Sequence, residues 1–346
     1  MSPRTLLLGL GVLLLQFGFI ASYLGAFHHP VPHRIPVTVV AAPVSVAQQI
    51  VDRLNSLPGD PIRANPAASE GAARDALRAD ETSSVYLFDV TGGNDRLLVA
   101  SAGGSSLSSA AEQIFTKIAQ QQRRSIAVDD DVPVQSGDAR GLSGFYLVIG
   151  WVVGGYLLAA MLGVAKGERP ATFPRAVWRL AATVPYSIAS GIGGAIIVGP
   201  ILAALNANFW AVSGIGALVT LSVATVTVAF QTFLGVLGIG LTVIVFVILG
   251  NPSAGGAYQP ALLPPFWRTM STALPNGAGT DALRRIAYFD GHGIHTALVV
   301  LIIWTVAGTM LTLVASRISV PTSAASSPAT PRTAAFAGVY GATNVD

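Results

Sequence analysis

Apolar positions in this chain fall into long unbroken runs rather than alternating with polar ones. Residues 180–267 contain no Asp, Glu, Lys or Arg. A soluble fold cannot leave so long a stretch uncharged without exposing a large apolar surface, whereas a membrane-crossing helix needs about 20 mostly apolar residues. Six runs read as spans: 6–27, 144–164, 181–205, 209–230, a short fifth at 235–250, and 295–316. The third carries Pro185 and Pro200, and Asn206 and Asn208 mark the turn after it. Gln231 and Thr232 interrupt the fourth and fifth only slightly, so these two read as separate spans or as a merged or re-entrant pair. The first run exceeds the 7–15 apolar residues of a signal peptide and has no clear small-residue cleavage site before His28, so it reads as a retained anchor.

Between the first two runs the pattern changes. Residues 36–42 are β-branched and predict a strand. Residues 44–57 place Val46, Ile50 and Leu54 on one helical face. Residues 67–78 predict a helix, 84–90 and 96–100 predict strands around a 92–94 turn, and 105–122 predict a helix with Leu107, Ala111, Ile114 and Ile118 on one side. Residues 129–140 read as an acidic loop. The whole of 28–142 is thus expected to form a small α/β domain, long enough to bury its own core. The 251–294 segment holds apolar pieces too short to span, which predicts interfacial or re-entrant helices. Trp267 and Tyr288 suit an interface. The tail after the last span, 317–346, is rich in Ala, Ser, Thr and Pro and is expected to be disordered and cytoplasmic.

Charge sets the orientation. Only 11% of residues are charged, against about 25% in an ordinary soluble domain, and they cluster outside the runs. Arg4, the basic stretch 166–179 and Arg317 face the cytoplasm under the positive-inside rule. Six spans satisfy this with both termini inside and 28–142 outside, in the plasma membrane. Net charge is only +3 and no aromatic–basic clusters occur, so nucleic acid is not an expected partner. The absence of cysteine excludes disulfides, thiolate metal sites and cysteine nucleophiles.

The chemistry-bearing residues carry bland readings. His28, His29 and His33 could ligate a metal, yet Pro30 and Pro32 stiffen the segment and no carboxylate is close in sequence, so a solvated linker is preferred. Asp129, Asp130 and Asp131 lack the spaced ligands of a calcium loop. His292 and His295 sit at the mouth of the last span, and Asp281 has the spacing of a helical ion pair with Arg284 or Arg285. Ser190 and Ser213 have no inward histidine to activate them. Gly191, Gly193, Gly194 and Gly199, with Gly235, Gly238 and Gly240, let helices approach closely. Packing within one bundle is the preferred reading, and a dimer interface or lipid-accessible groove the alternative. No catalytic residue, metal site or cofactor is expected.

Several stretches resemble ABC-2 type transporter permeases, close to the actinobacterial YhgE/Pip and DUF3533-like membrane proteins. They are Pro36-Val-Thr-Val-Val40 after the first span, Ala72-Ala-Arg-Asp-Ala-Leu-Arg78 followed by Ser84-Val-Tyr-Leu-Phe88, and Asp138-Ala-Arg-Gly-Leu-Ser-Gly-Phe-Tyr146 before the second span. The strongest is Asn251-Pro-Ser-Ala-Gly-Gly-Ala-Tyr258, then Leu262-Leu-Pro-Pro-Phe-Trp267, Leu274-Pro275 and Asp281-Ala-Leu-Arg284. The resemblance implies an integral membrane protein of six helices with an extracytoplasmic α/β domain. It implies a homodimeric exporter in membrane lipid, working with a separate ATP-binding subunit, since the chain has no G-x-x-x-x-G-K-[ST] phosphate loop. The partner would dock on Lys166, Arg169, Arg175, Trp178 and Arg179. Asn251, Pro252, Gly255, Gly256, Pro264, Pro265 and Trp267 would build the re-entrant outer loop. The uncharged spans disfavour an ion-coupled carrier and point to a hydrophobic or amphipathic cargo: a lipid, glycolipid or drug. The alternative is a non-transporting scaffold or receptor whose outer domain binds a partner or cell-wall component.

Overall fold

The computed structural model describes residues 3–166 and 173–318. Arg169 and the tail beyond 318 lie outside the described residues, as does the side chain of Lys166.

The chain is mostly helical, and five helices are long and apolar enough to cross a membrane. They are α1 (Pro3–Phe27), α5 (Ser143–Lys166), α6 (Phe173–Ile196, extended by a π-helical turn Ile197–Ile201), α7 (Phe209–Leu234) and α12 (His295–Ile318). The sequence reading has six; the remaining run, Leu237–Ser253, is a shorter apolar helix. It starts at α8 (Leu237–Thr242), continues through a π-helical stretch Val243–Leu249 and ends in α9 (Gly250–Ser253). Gly235, at φ 62°, makes the sharp break after α7 that only glycine adopts readily.

Between α1 and α5 lies an α/β body. Its five-stranded sheet has the order β2-β1-β3-β4-β5: β1 Ile35–Val40, β2 Ile62–Pro66, β3 Ser84–Leu87, β4 Asn94–Val99 and β5 Ser125–Asp130. Only β3 and β4 pair antiparallel. Helices α2 (Val44–Asn55) and α4 (Ser105–Gln121) contribute Val51, Leu54 and Phe115 to a core with Ile35, Val37 and Leu97. Helix α3 (Glu70–Arg78), capped by Ser69, contributes Ala73 and Leu77 to a second core with Val85 and Leu98. Two strands differ from the sequence reading. β2 is short, alternating buried Ile62 and Ala64 with exposed Arg63 and Asn65 over five residues, and β5 is an exposed edge strand without alternation that occupies part of the expected acidic loop. The three aspartates are spoken for: Asp129 pairs with Arg96, Asp130 accepts the Ser101 amide, and Asp131 pairs with Arg74 and Arg78.

In the helical part, α7 is the central pillar, packed against α5, α6 and α12. Two short helices precede α12: α10 (Pro265–Ala273) and α11 (Pro275–Tyr288). α6 begins eight residues earlier than the third apolar run, because Pro174 sits where a helix tolerates it, in the first turn. Arg175, Trp178 and Arg179 are therefore helical residues, a correction to the loop expected there.

Candidate functional site

The α/β body and the bundle meet along a seam built from residues far apart in sequence. The segment after α9 leaves the bundle and enters the body. Leu262, only 3% exposed, joins the core that includes Leu107 and Phe115. Gln259 Oε1 accepts the Leu107 amide at 3.2 Å, Ser106 Oγ donates to the Ala257 carbonyl at 2.7 Å, and the His33 amide donates to the Ala261 carbonyl at 2.9 Å. Gly104, at φ 140°, leaves room for Gln259; a Cβ there would overlap that side chain. A second strut is ionic. Arg285 on α11 bridges Asp80 of the body at 3.0 Å and Asp281 at 2.9 Å, and donates to the His292 carbonyl. Burial pushes the Asp80 carboxyl above its ordinary value, against the pull of Arg285 and Arg284. A third strut joins Tyr288 to Asp138 at 2.6 Å, while Gln135 bonds backbone groups of Asn206 and Ala287.

Beside this seam lies a cavity of about 690 Å³, within the range of small-molecule sites. Its apolar wall includes Ile114, Leu142, Tyr258 and Leu262, and its polar wall includes Ser105, Ser106, Ser109, Gln113 and Arg140. Pro30 and Pro32, just past α1, also line it. Both halves of the chain supply its lining. A second cavity of about 840 Å³ lies where α7 and α12 begin, lined by Ile215, Ile286 and Leu298 together with Asn206, Asn208 and Asp290.

α10 and α11 form a hairpin whose tip abuts the bundle interior. Trp304 Nε1, nine residues along α12, donates to the Ala273 carbonyl at 2.7 Å; at 1.5 Å per residue the tip lies about 14 Å from the start of α12. At this tip Asn276 Nδ2 donates to the Phe246 carbonyl at 3.0 Å and to Asn251 Oδ1 at 2.9 Å. Pro252 lacks the N–H that would bond the Ile248 carbonyl, and Ser22 Oγ of α1 donates to it instead. Gly255 presents its carbonyl to Arg284, and a Cβ on Gly256 would overlap the Phe145 ring. Pro264 precedes α10, Pro265 opens it, and Trp267 is buried against the end of α1 with Ala26 and Leu263. Trp267 is therefore a packing residue rather than an exposed interface anchor.

The glycines divide by neighbour. Gly191 packs on α7, where a Cβ would overlap the Ser213 carbonyl, and Gly194 packs on Trp151. Gly238 packs on the Phe230 backbone, while Gly193, Gly199 and Gly240 face open space. Of the expected docking residues, Arg175 and Trp178 are exposed. Arg179 is 3% exposed and donates to the Leu162 carbonyl of α5 at 3.2 Å, so it braces the bundle rather than facing outward. His28 Nδ1 lies 2.8 Å from the Leu24 carbonyl at the end of α1. Asp281 pairs with Arg285, not Arg284. The sequence reading missed Arg140, Asp80 and Gln259. Arg140 lies in the 138–146 stretch before the second span, and nothing local distinguishes the other two.

No family model matches the chain, and neither a curated protein nor a solved structure matches it.

Proposed function

We propose that this chain is the permease subunit of a membrane exporter of the ABC-2 class for a hydrophobic or amphipathic molecule: a lipid, glycolipid or drug. The observation that carries this reading is the cavity of about 690 Å³ walled jointly by the α/β body and the bundle. Its two-sided lining suits a molecule with an apolar and a polar part. The Leu237–Ser253 helix acts as a sixth crossing: at about 1.5 Å per residue its 17 residues reach about 25 Å, and the chain beyond it enters the α/β body. With Arg4, 166–179 and Arg317 on the cytoplasmic side, the body lies outside the plasma membrane and α10–α11 re-enter it from there. Energy comes from a separate ATP-binding subunit at the cytoplasmic ends of α5 and α6, where Arg175 and Trp178 are exposed. The mostly exposed apolar face of α1 is available to lipid and to a second copy in a homodimer. The chain itself performs no chemistry in this scheme.

One observation favours the scaffold reading: the seam fastens the body to the bundle through Leu262, Gln259 and the Asp80–Arg285 pair, as a fixed platform would require. Purification from native membranes in mild detergent, followed by mass spectrometry, separates the two. A stoichiometric ATPase with a phosphate loop supports the permease. A homo-oligomer without one, together with unchanged lipid and drug export on deletion, refutes it in favour of the scaffold.

A further inference from the structure

We infer that the junction cavity selects amphiphiles with an anionic head, a phosphate or carboxylate. This deepens the permease reading and rests on it for the cargo's fate, though not for binding itself. The argument is one of charge. Among the residues lining the cavity, Arg140 is the only charged one and none is acidic. Arg140 is exposed and forms no ion pair among the described residues. The nearest carboxylate in sequence, Asp138, is buried and already taken by the Tyr288 hydroxyl at 2.6 Å and the Ser143 amide at 2.8 Å. That leaves the guanidinium, a rigid fork of donors matched to phosphate and carboxylate, free for a ligand.

The rest of the lining suits the same ligand. Ser105, Ser106 and Ser109 occupy the first turns of α4 beside Arg140; Ser105 Oγ lies 3.4 Å from the Arg140 carbonyl. Ile114, Leu142 and Leu262 add apolar lining to the same cavity. Pro32 and Leu142 tie the cavity to the ends of α1 and α5, where an acyl chain passes from bilayer to aqueous surface. A head held at Arg140 with its tail along Leu142 satisfies both walls at once. A neutral head would reach the serines and Gln113 but leave the Arg140 guanidinium without a counter-charge.

The test uses the full-length protein in neutral detergent, titrated by calorimetry with dihexanoyl phosphatidic acid, the uncharged lipid dihexanoyl glycerol and inorganic phosphate. Phosphatidic acid is expected to bind at least about tenfold more tightly than dihexanoyl glycerol, the scale of one charge-assisted contact, and more tightly than phosphate alone. Arg140→Gln removes the preference and Arg140→Lys keeps part of it. Ala110→Trp, which puts a bulky ring into the cavity, weakens both lipids; melting curves confirm that each variant is folded. Equal binding of the two lipids, a preference surviving Arg140→Gln, or phosphate binding as tightly as the lipid overturns the inference. Selective binding without any export defect on deletion would uphold this site and sink the permease reading. An export defect without selective binding would do the reverse.

Discussion

Replacing Leu262 with alanine should loosen the α/β body, although Leu262 is 132 residues beyond the body's last strand, which ends at Asp130. The side chain is 3% exposed and sits in the core with Leu107 and Phe115. Burying a leucine contributes about 1.5–3 kcal/mol. The void left by truncation adds to the loss, so about 3 kcal/mol is expected. By mass action this is about a hundredfold in the opening equilibrium. Hydrogen exchange on the full-length protein in detergent reads it directly: amides of β1 and β3 should lose about two decades of protection. Amides of α7, which Leu262 does not touch, should hold theirs. If β1 and β3 exchange at wild-type rates while losses fall only on α9 and α10, the segment is a surface loop and the seam is misassigned.

Four further outcomes are expected. Gly191→Leu should lower the melting temperature by several degrees, because α6 and α7 meet at that backbone, whereas Gly193→Ala, facing open space, should not; equal effects would contradict the packing. Asp80→Asn and Arg285→Met should each destabilise, and the double variant should lose less than their sum by about 0.5–3 kcal/mol; strict additivity would remove the ionic strut. Asp89 is held at a pKa of about 2 by backbone N–H groups of Gly92 and Thr91, and further by Asn94. Its folded value is depressed, so its contribution is present above about pH 4 and is lost as pH falls toward 2. Asp89→Asn should flatten part of the acid-side decline in that window, and a decline identical to wild type would refute this. Finally, the chain lacks cysteine, so Ser109→Cys and Arg175→Cys each give one thiol. An impermeant maleimide added to intact cells should label the first and not the second; labelling of Arg175→Cys alone would invert the orientation.

What the sequence made legible was local. The apolar runs announce themselves because a bilayer demands about 20 such residues, and the helices of the body follow their apolar period. Asp281 and Arg285 pair at i,i+4 and needed no fold to suggest it. Edge strand β2 alternates over only five residues, with Ala64 and Pro66 as weak strand formers, and β5 buries no residue fully, so neither stands out from a loop. The short run 235–250 is readable as apolar, but its π-helical course depends on Ser22 and Asn276, which bond its carbonyls from other helices. Leu262 read as membrane loop because its apolar neighbours give no sign of which core it enters. Asp80 and Arg285 were invisible as a pair because only the docking of the body on α11 brings them together. The cavity was illegible for the same reason: its walls come from α4, the approach to α5 and the segment after α9.

The central claim is export of an amphipathic molecule. It is tested most directly by mass-spectrometric profiling of extracellular and cell-associated amphiphiles in cells carrying the gene deletion, complemented with wild type or with Ala110→Trp. At least one anionic amphiphile should fall outside the cell and accumulate within it on deletion, recover with wild type, and fail to recover with Ala110→Trp. Identical profiles in all three strains would contradict the account.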